Sequence, residues 1–212
     1  MKIYYSYIAS FLVVVAFAIG IFRLKNLEKH EYLILTLLSF IILTDMLAIY
    51  PSIRKENTSI YYNILVPVQV IFTLITYYWY MPSCKIKRLM LYCIILFGLF
   101  TIVNGLLIQD IFLKLASYTF FIGGIMVVLF SYILWRQQVD KMELSPTNLI
   151  LWFATANFLY YGSVVPVASA NNWLVLYSSN LAFPVHTINL VMYGLWASVI
   201  GFGFIWKRKP AR

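Results

Sequence analysis

Seven long apolar runs, separated by short polar breaks, fill this chain almost from end to end. They cover approximately residues 3–22, 32–50, 60–80, 89–108, 116–135, 148–167 and 174–206. A bilayer's hydrocarbon core is roughly 30 Å thick and takes about 20 helical residues to cross. Every run but the last is about that long. Backbone amides in lipid must be satisfied within their own segment, so such runs are expected to be helices. Of 212 residues, 63% are hydrophobic and 11% charged, where a soluble domain carries about a quarter charged residues. No water-soluble core could hide that much apolar surface. The expected fold is all-α: one polytopic transmembrane domain over residues 1–212, with seven transmembrane helices, the lipid bilayer as solvent and no soluble domain.

The last run is too long for one straight span. Counting back about 20 residues from Trp206 reaches Thr187. The seventh helix is therefore expected over 184–206, started or kinked by Pro184. Leu174 to Phe183 is left as an extracellular or re-entrant piece. Ser145-Pro146-Thr147-Asn148 is a turn and capping signal before the sixth helix. Tyr4, Tyr5, Tyr50, Tyr61, Tyr62, Trp79, Tyr80, Trp135, Trp173 and Trp206 mark span ends, as interfacial aromatic belts do.

Loop charges set the direction of the bundle. The first, third and fifth breaks and the C-terminal tail carry Arg23, Lys25, Lys29, Lys85, Lys87, Arg88, Arg136, Lys141, Lys207, Arg208, Lys209 and Arg212, which is 12 of the 16 basic residues. The other side carries Lys2, Arg54, Lys55 and Lys114. Basic residues stay in the cytoplasm, so the N-terminus is expected outside and the C-terminus inside. Met1, Lys2 and the run to Ala16-Phe17-Ala18 also resemble a signal peptide, but cleavage would leave Arg23, Lys25 and Lys29 outside. The net charge of +9 lies in these clusters and points to the membrane surface rather than to nucleic acid. Cys84 and Cys93 fall in a cytoplasmic break and the next span, placements that fit neither a disulfide nor a metal site.

A shift of 117 residues lays the first three spans over the last three. Asn63-Ile64-Leu65-Val66-Pro67-Val68-Gln69 then falls on Asn180-Leu181-Ala182-Phe183-Pro184-Val185-His186. The match is that of a 3+1+3 parallel repeat, as in small sugar transporters, or of apolar segments aligning by chance.

Polar side chains inside a membrane usually face the bundle interior or a wet cavity. Here they crowd the outer half: Asp45 in the second span, Asn63 and Gln69 in the third, Asn104 in the fourth, Asn157 in the sixth, His186 and Asn189 in the seventh. Gln69, Thr73, Thr76 and Tyr80 form one helical stripe, and Ser179, His186, Asn189, Tyr193 and Trp196 another. Asp45 is the only acidic residue well inside a span and His186 the only histidine there. The two are either a ligand-anchoring or proton-linked pair, or separately satisfied packing contacts. Asn63, Gln69, Asn104, Asn157 and Asn189 join them as candidate ligand-binding residues, with packing as the alternative role.

Known chemistries fit poorly. No lysine lies between Lys141 and Lys207, so the last span lacks the Schiff base of a retinal protein. Pro67-Val68-Gln69 stands in the wrong span for a PQ-loop transporter. No hydrolase elbow, metal-binding His pair or phosphate-cradling glycine loop occurs. Neither catalysis nor a cofactor or metal is expected.

Tyr62-Asn63 through Tyr77-Tyr78, Ile102-Val103-Asn104, Leu107-Ile108-Gln109-Asp110 before Ser117, and Asn189 followed by Tyr193-Gly194-Leu195-Trp196-Ala197 and Gly201-Phe202 carry a resemblance. Together they resemble small seven-helix membrane proteins of Bacteroidota that are often encoded beside sensor histidine kinases. The likeness runs from about residue 30 to the C-terminus; Leu151-Trp152 stands where that group has Phe-Trp. It implies a bacterial inner-membrane location and a sensory or accessory role. The sequence thus leads to two main expectations: a receptor-like protein binding a small ligand from outside and signalling to a cytoplasmic or membrane partner, or a small secondary transporter. An intramembrane enzyme using Asp45 and His186 is a lesser third, since that pair lacks a nucleophile or metal cluster. A transporter needs its polar path to continue inward past Thr73, Thr76, Tyr193 and Trp196. A receptor needs the inner half packed.

Overall fold

The computed structural model describes the backbone of residues 2–54, 56–110, 112, 116–140, 145, 147–177 and 179–207, and their side chains except those of 2–6 and 168–186. Seven helices follow in order: α1 (Lys2–Phe22), α2 (Tyr32–Ile53), α3 (Ser59–Tyr80), α4 (Cys84–Val103), α5 (Ser117–Asp140), α6 (Leu149–Tyr177) and α7 (Ser179–Trp206). No strand occurs among the described residues. Six helices, α2 to α7, carry segments long and apolar enough to cross a membrane. The 21 residues of α1 rise about 32 Å, a span's length, and its described apolar stretch is Tyr7–Phe22. The chain is an all-α polytopic membrane protein.

Several boundaries differ from the sequence expectation by five residues or more, one being the end of α5, which runs on to Asp140. α6 continues through the polar stretch 168–173 to Tyr177, and α7 starts at Ser179, ahead of Pro184. The stretch 174–183 is thus divided between two long helices. Polar residues end a membrane span but not a helix, because water as well as helical bonding can satisfy the backbone beyond the lipid. α4 begins at Cys84, so Lys85, Lys87 and Arg88 lie in its first two turns. At its other end α4 passes into a wide π turn, Asn104–Ile108, where the Gln109 N–H bonds the Asn104 carbonyl at 2.8 Å.

Neighbouring helices alternate in direction, so Arg23, Lys25, Lys87, Arg136 and Lys207 gather at one end, hereafter the basic end. α1, α2, α3, α5, α6 and α7 form a closed ring in that order, and α4 leans on the outside of α3 and α5. α3 meets α5 as α7 meets α1, an order compatible with a 3+1+3 repeat. Ile34, Ile41, Leu74, Val127, Phe153 and Ile200 fill the ring and are fully buried.

Small residues let the backbones approach, as dispersion between helices in lipid requires. Gly124 of α5 receives Val165 and Tyr161 of α6, and Gly20 of α1 receives Leu35 and Phe204. A Cβ on Gly203 of α7 would sit 2.7 Å from Trp152 Cβ of α6. α4 is the exception: Leu89, Leu96 and Leu99 are exposed, as is Leu106 in the π turn that follows, and nothing stands within 4 Å of a Cβ on Gly98.

Candidate functional site

Helix rise places Asp45 about 20 Å from the basic end of α2. Its carboxylate enters the ring where five helices converge. Ser10 Oγ of α1 donates to Asp45 Oδ2 at 2.7 Å. Tyr62 of α3, Tyr160 of α6 and Tyr193 of α7 all lie within electrostatic reach of the carboxylate. Tyr193 is beside it, yet its buried hydroxyl makes no hydrogen bond of ordinary geometry. Tyr160 Oη donates to Asn189 Oδ1 of α7 at 3.3 Å. Asp45, Ser10 and Asn189 are only half-buried and Tyr62 is 36% exposed, so the described side chains do not close over this group. No basic side chain pairs with Asp45 among the described residues.

Beneath the carboxylate, toward the basic end, the described side chains are buried and packed together. Tyr193 stacks on Trp196 with ring centroids 5.9 Å apart and planes 7° from parallel. Tyr160 leans against both rings, at 6.2 and 6.4 Å. Trp196 Nε1 donates to Asn157 Oδ1 at 3.0 Å, and Asn157 Nδ2 donates to Tyr77 Oη at 3.1 Å and to the Phe153 carbonyl at 2.9 Å. Tyr77 Oη and Ser131 Oγ share a bond of 2.8 Å. Asn157, Tyr77, Trp196 and Ser131 are at most 1% exposed. This knot ties α3, α5, α6 and α7 with neutral groups, each with a partner, as a dry interior demands.

At the basic end a second tie closes the ring. Lys207, just past α7, donates through Nζ to Glu31 Oε1 at 2.7 Å and Glu28 Oε1 at 3.3 Å. Glu31, at the start of α2, also accepts the Glu28 backbone N–H through Oε2 at 2.8 Å. Glu31 is 1% exposed and Lys207 6%. Burial pushes the Glu31 carboxyl above its ordinary value, and the bonds from Lys207 and the Glu28 N–H only partly offset this.

The seven candidate residues therefore separate. Asp45 and Asn189 meet in the half-uncovered group, and Asn157 belongs to the buried knot. Asn63 and Asn104 hold the corner where α4 turns into α5: Asn63 Oδ1 accepts the Ala116 N–H at 2.7 Å, and Asn104 Nδ2 donates to Gln109 Oε1 at 3.0 Å and Thr119 Oγ1 at 2.9 Å. Gln69 is buried on α3 with Nε2 unbonded, and Thr73 Oγ1 and Tyr80 Oη on the same stripe are also unbonded. The side chain of His186 lies outside the described residues, as do those of Asn180 and Ser179.

Sequence reading overlooked Ser10, the inward roles of Tyr62 and Tyr160, and the Glu31–Lys207 tie. Ser10 carries a usable signal: it is the only polar side chain between Tyr7 and Phe22. Tyr62 reads equally well as an interfacial belt residue, and Lys207 as a loop charge. Among the described residues no group of three His, Cys, Asp or Glu side chains could hold a metal ion. No protein-family model matches the chain, and neither a curated protein nor a solved structure matches it.

Proposed function

We propose that this is a receptor-like membrane protein whose small-ligand site is the Asp45 group, open on the side away from the basic loops. The observation that carries the reading is the contrast in depth. A half-exposed polar group stands directly above a knot of buried, hydrogen-bonded side chains and a buried ion pair. A ligand pressing on Tyr160 or Tyr193 would act on Trp196, and through Asn157 on four helices at once. α7 would carry the shift to Lys207, beside the α1–α2 turn. The basic loops would present it to a cytoplasmic or membrane signalling partner. A bacterial inner-membrane location belongs to the same proposal, and the resemblance to seven-helix proteins encoded beside sensor kinases supports both.

A second reading has its own observation. Gln69 Nε2, Thr73 Oγ1 and Tyr80 Oη are buried without partners down one stripe of α3. Such orphans are costly in hydrocarbon, and they would line a polar path if the helices separated. That is what a small transporter with alternating access would need. Proteoliposomes decide between the two. The receptor reading expects a ligand to raise the melting temperature without being taken up, and to alter the labelling rate of exposed Cys84 at the basic end. Uptake of the bound ligand, abolished in Asn157→Ala, would overturn it.

A further inference from the structure

We infer that the Asp45 group binds a small organic cation, a protonated amine carried on an apolar or aromatic body. The inference rests on the reading of this group as a ligand site, and is independent of whether binding leads to signalling or to passage. Four observations converge on it. The carboxylate is set well inside the span, where an uncompensated charge is costly. Among the described residues its one hydrogen bond of ordinary geometry comes from a neutral hydroxyl, Ser10, to Oδ2, and the Tyr193 hydroxyl beside it is neutral too. Three tyrosines from three helices stand around it. The described side chains leave the group half-uncovered, which leaves room for the missing positive charge to come from a ligand.

An ammonium ion answers each of these. One N–H would bond Asp45 Oδ1, supplying the charge that no described side chain brings. A second would reach Tyr193 Oη, which is buried and unbonded. The phenol rings would attract the cation through their quadrupoles, an interaction that strengthens where water is excluded. The organic body would rest on Tyr160 and Tyr193, whose rings already pack together at 6.2 Å. A metal cation fits less well: the group offers one carboxylate and hydroxyls, and hard cations take six or more oxygens. An anion would meet a carboxylate and no described basic partner.

The test uses purified full-length protein in nanodiscs, with benzylammonium as probe, benzyl alcohol as its neutral counterpart, benzoate as the anion and sodium chloride alone. Calorimetry should show benzylammonium bound in preference to the other three. Asp45→Asn should weaken it by about tenfold to a hundredfold. Tyr193→Leu should weaken it on the order of tenfold, and Tyr193→Phe should keep most of the affinity because the ring remains. The tyrosine pair keeps the test decisive should Asp45→Asn fail to fold. Benzylammonium binding unchanged in Asp45→Asn, or equal loss in both tyrosine variants, would overturn the inference. Benzyl alcohol binding in the amine's place would retain the ligand site and overturn its cationic character. Binding by none of the four would overturn both.

Discussion

Asn157 and Gln69 are both buried amides inside spans, yet they differ in what removing them should do. Asn157 satisfies Trp196, Tyr77 and the Phe153 carbonyl at once. Asn157→Leu strands Trp196 Nε1 in a dry interior, a loss of about 1–3 kcal/mol for an orphaned donor, and nearer the lower figure in a membrane. Gln69 Nε2 has no partner to lose. Gln69→Met preserves side-chain length and removes an unpaid desolvation cost, so it should leave stability unchanged or raise it. Thermal melts of the two variants in one detergent check the pair; equal destabilisation would show that Gln69 is bonded in the working protein. Glu31 gives a prediction with a sign. Its carboxyl is held above the ordinary 4.5, so the folded protein binds this proton more tightly than the unfolded chain. Stability should then fall as pH rises from that ordinary value through the raised one. The melting temperature of the wild type minus that of Glu31→Gln should decline as pH rises above the ordinary 4.5. An increasing difference would mean that the bonds from Lys207 and the Glu28 N–H outweigh burial and favour the charged form.

Among the helices, stability depends on how closely each backbone approaches its neighbour. Gly203→Ala would drive a methyl against Trp152 Cβ, an atom fixed to the backbone of α6 that cannot swing aside. Overpacking of this kind costs about 1–3 kcal/mol. Gly98→Ala on α4 meets nothing within 4 Å and should gain about 0.5–1 kcal/mol from helix propensity. Melting temperatures moving in opposite directions would confirm the ring-and-outrider packing; a loss in Gly98→Ala would mean that α4's exposed face is covered by another protein. The same helices show what could be read beforehand. The apolar runs located the lipid-embedded parts of α2, α3 and α5 within a few residues, because run length follows directly from bilayer thickness. The α6–α7 boundary was not legible, since Ser169-Ala170-Asn171-Asn172 can leave the lipid and remain helical. Depth also told that Asp45, Asn63, Asn104 and Asn189 lie toward one end. It could not tell that Asn63 and Asn104 turn to the α4–α5 corner while Asp45 turns to Ser10. Partnership depends on helix rotation and ring order, and neither is encoded in depth.

For the whole molecule, everything said about ligand and signal hangs on which way the bundle faces. Hydropathy is silent on this, because an apolar run crosses equally well in either direction. The expected direction rests on the asymmetry of 12 basic residues against 4. α4 starting at Cys84 places Lys85, Lys87 and Arg88 in the first two turns of a helix, where the long side chains can reach headgroups. Two native cysteines make the orientation measurable without engineering. Cys84 is exposed at the start of α4, on the basic end, and Cys93 is partly buried two to three turns into the same span. A membrane-impermeant maleimide should leave Cys84 unmodified in intact bacterial spheroplasts and label it in inside-out vesicles. Cys93, shielded by lipid and protein, should react in neither and so serves as the internal control. Labelling of Cys84 from outside would invert the bundle. The Asp45 group would then open to the cytoplasm, and its ligand would have to be an internal metabolite rather than an external signal.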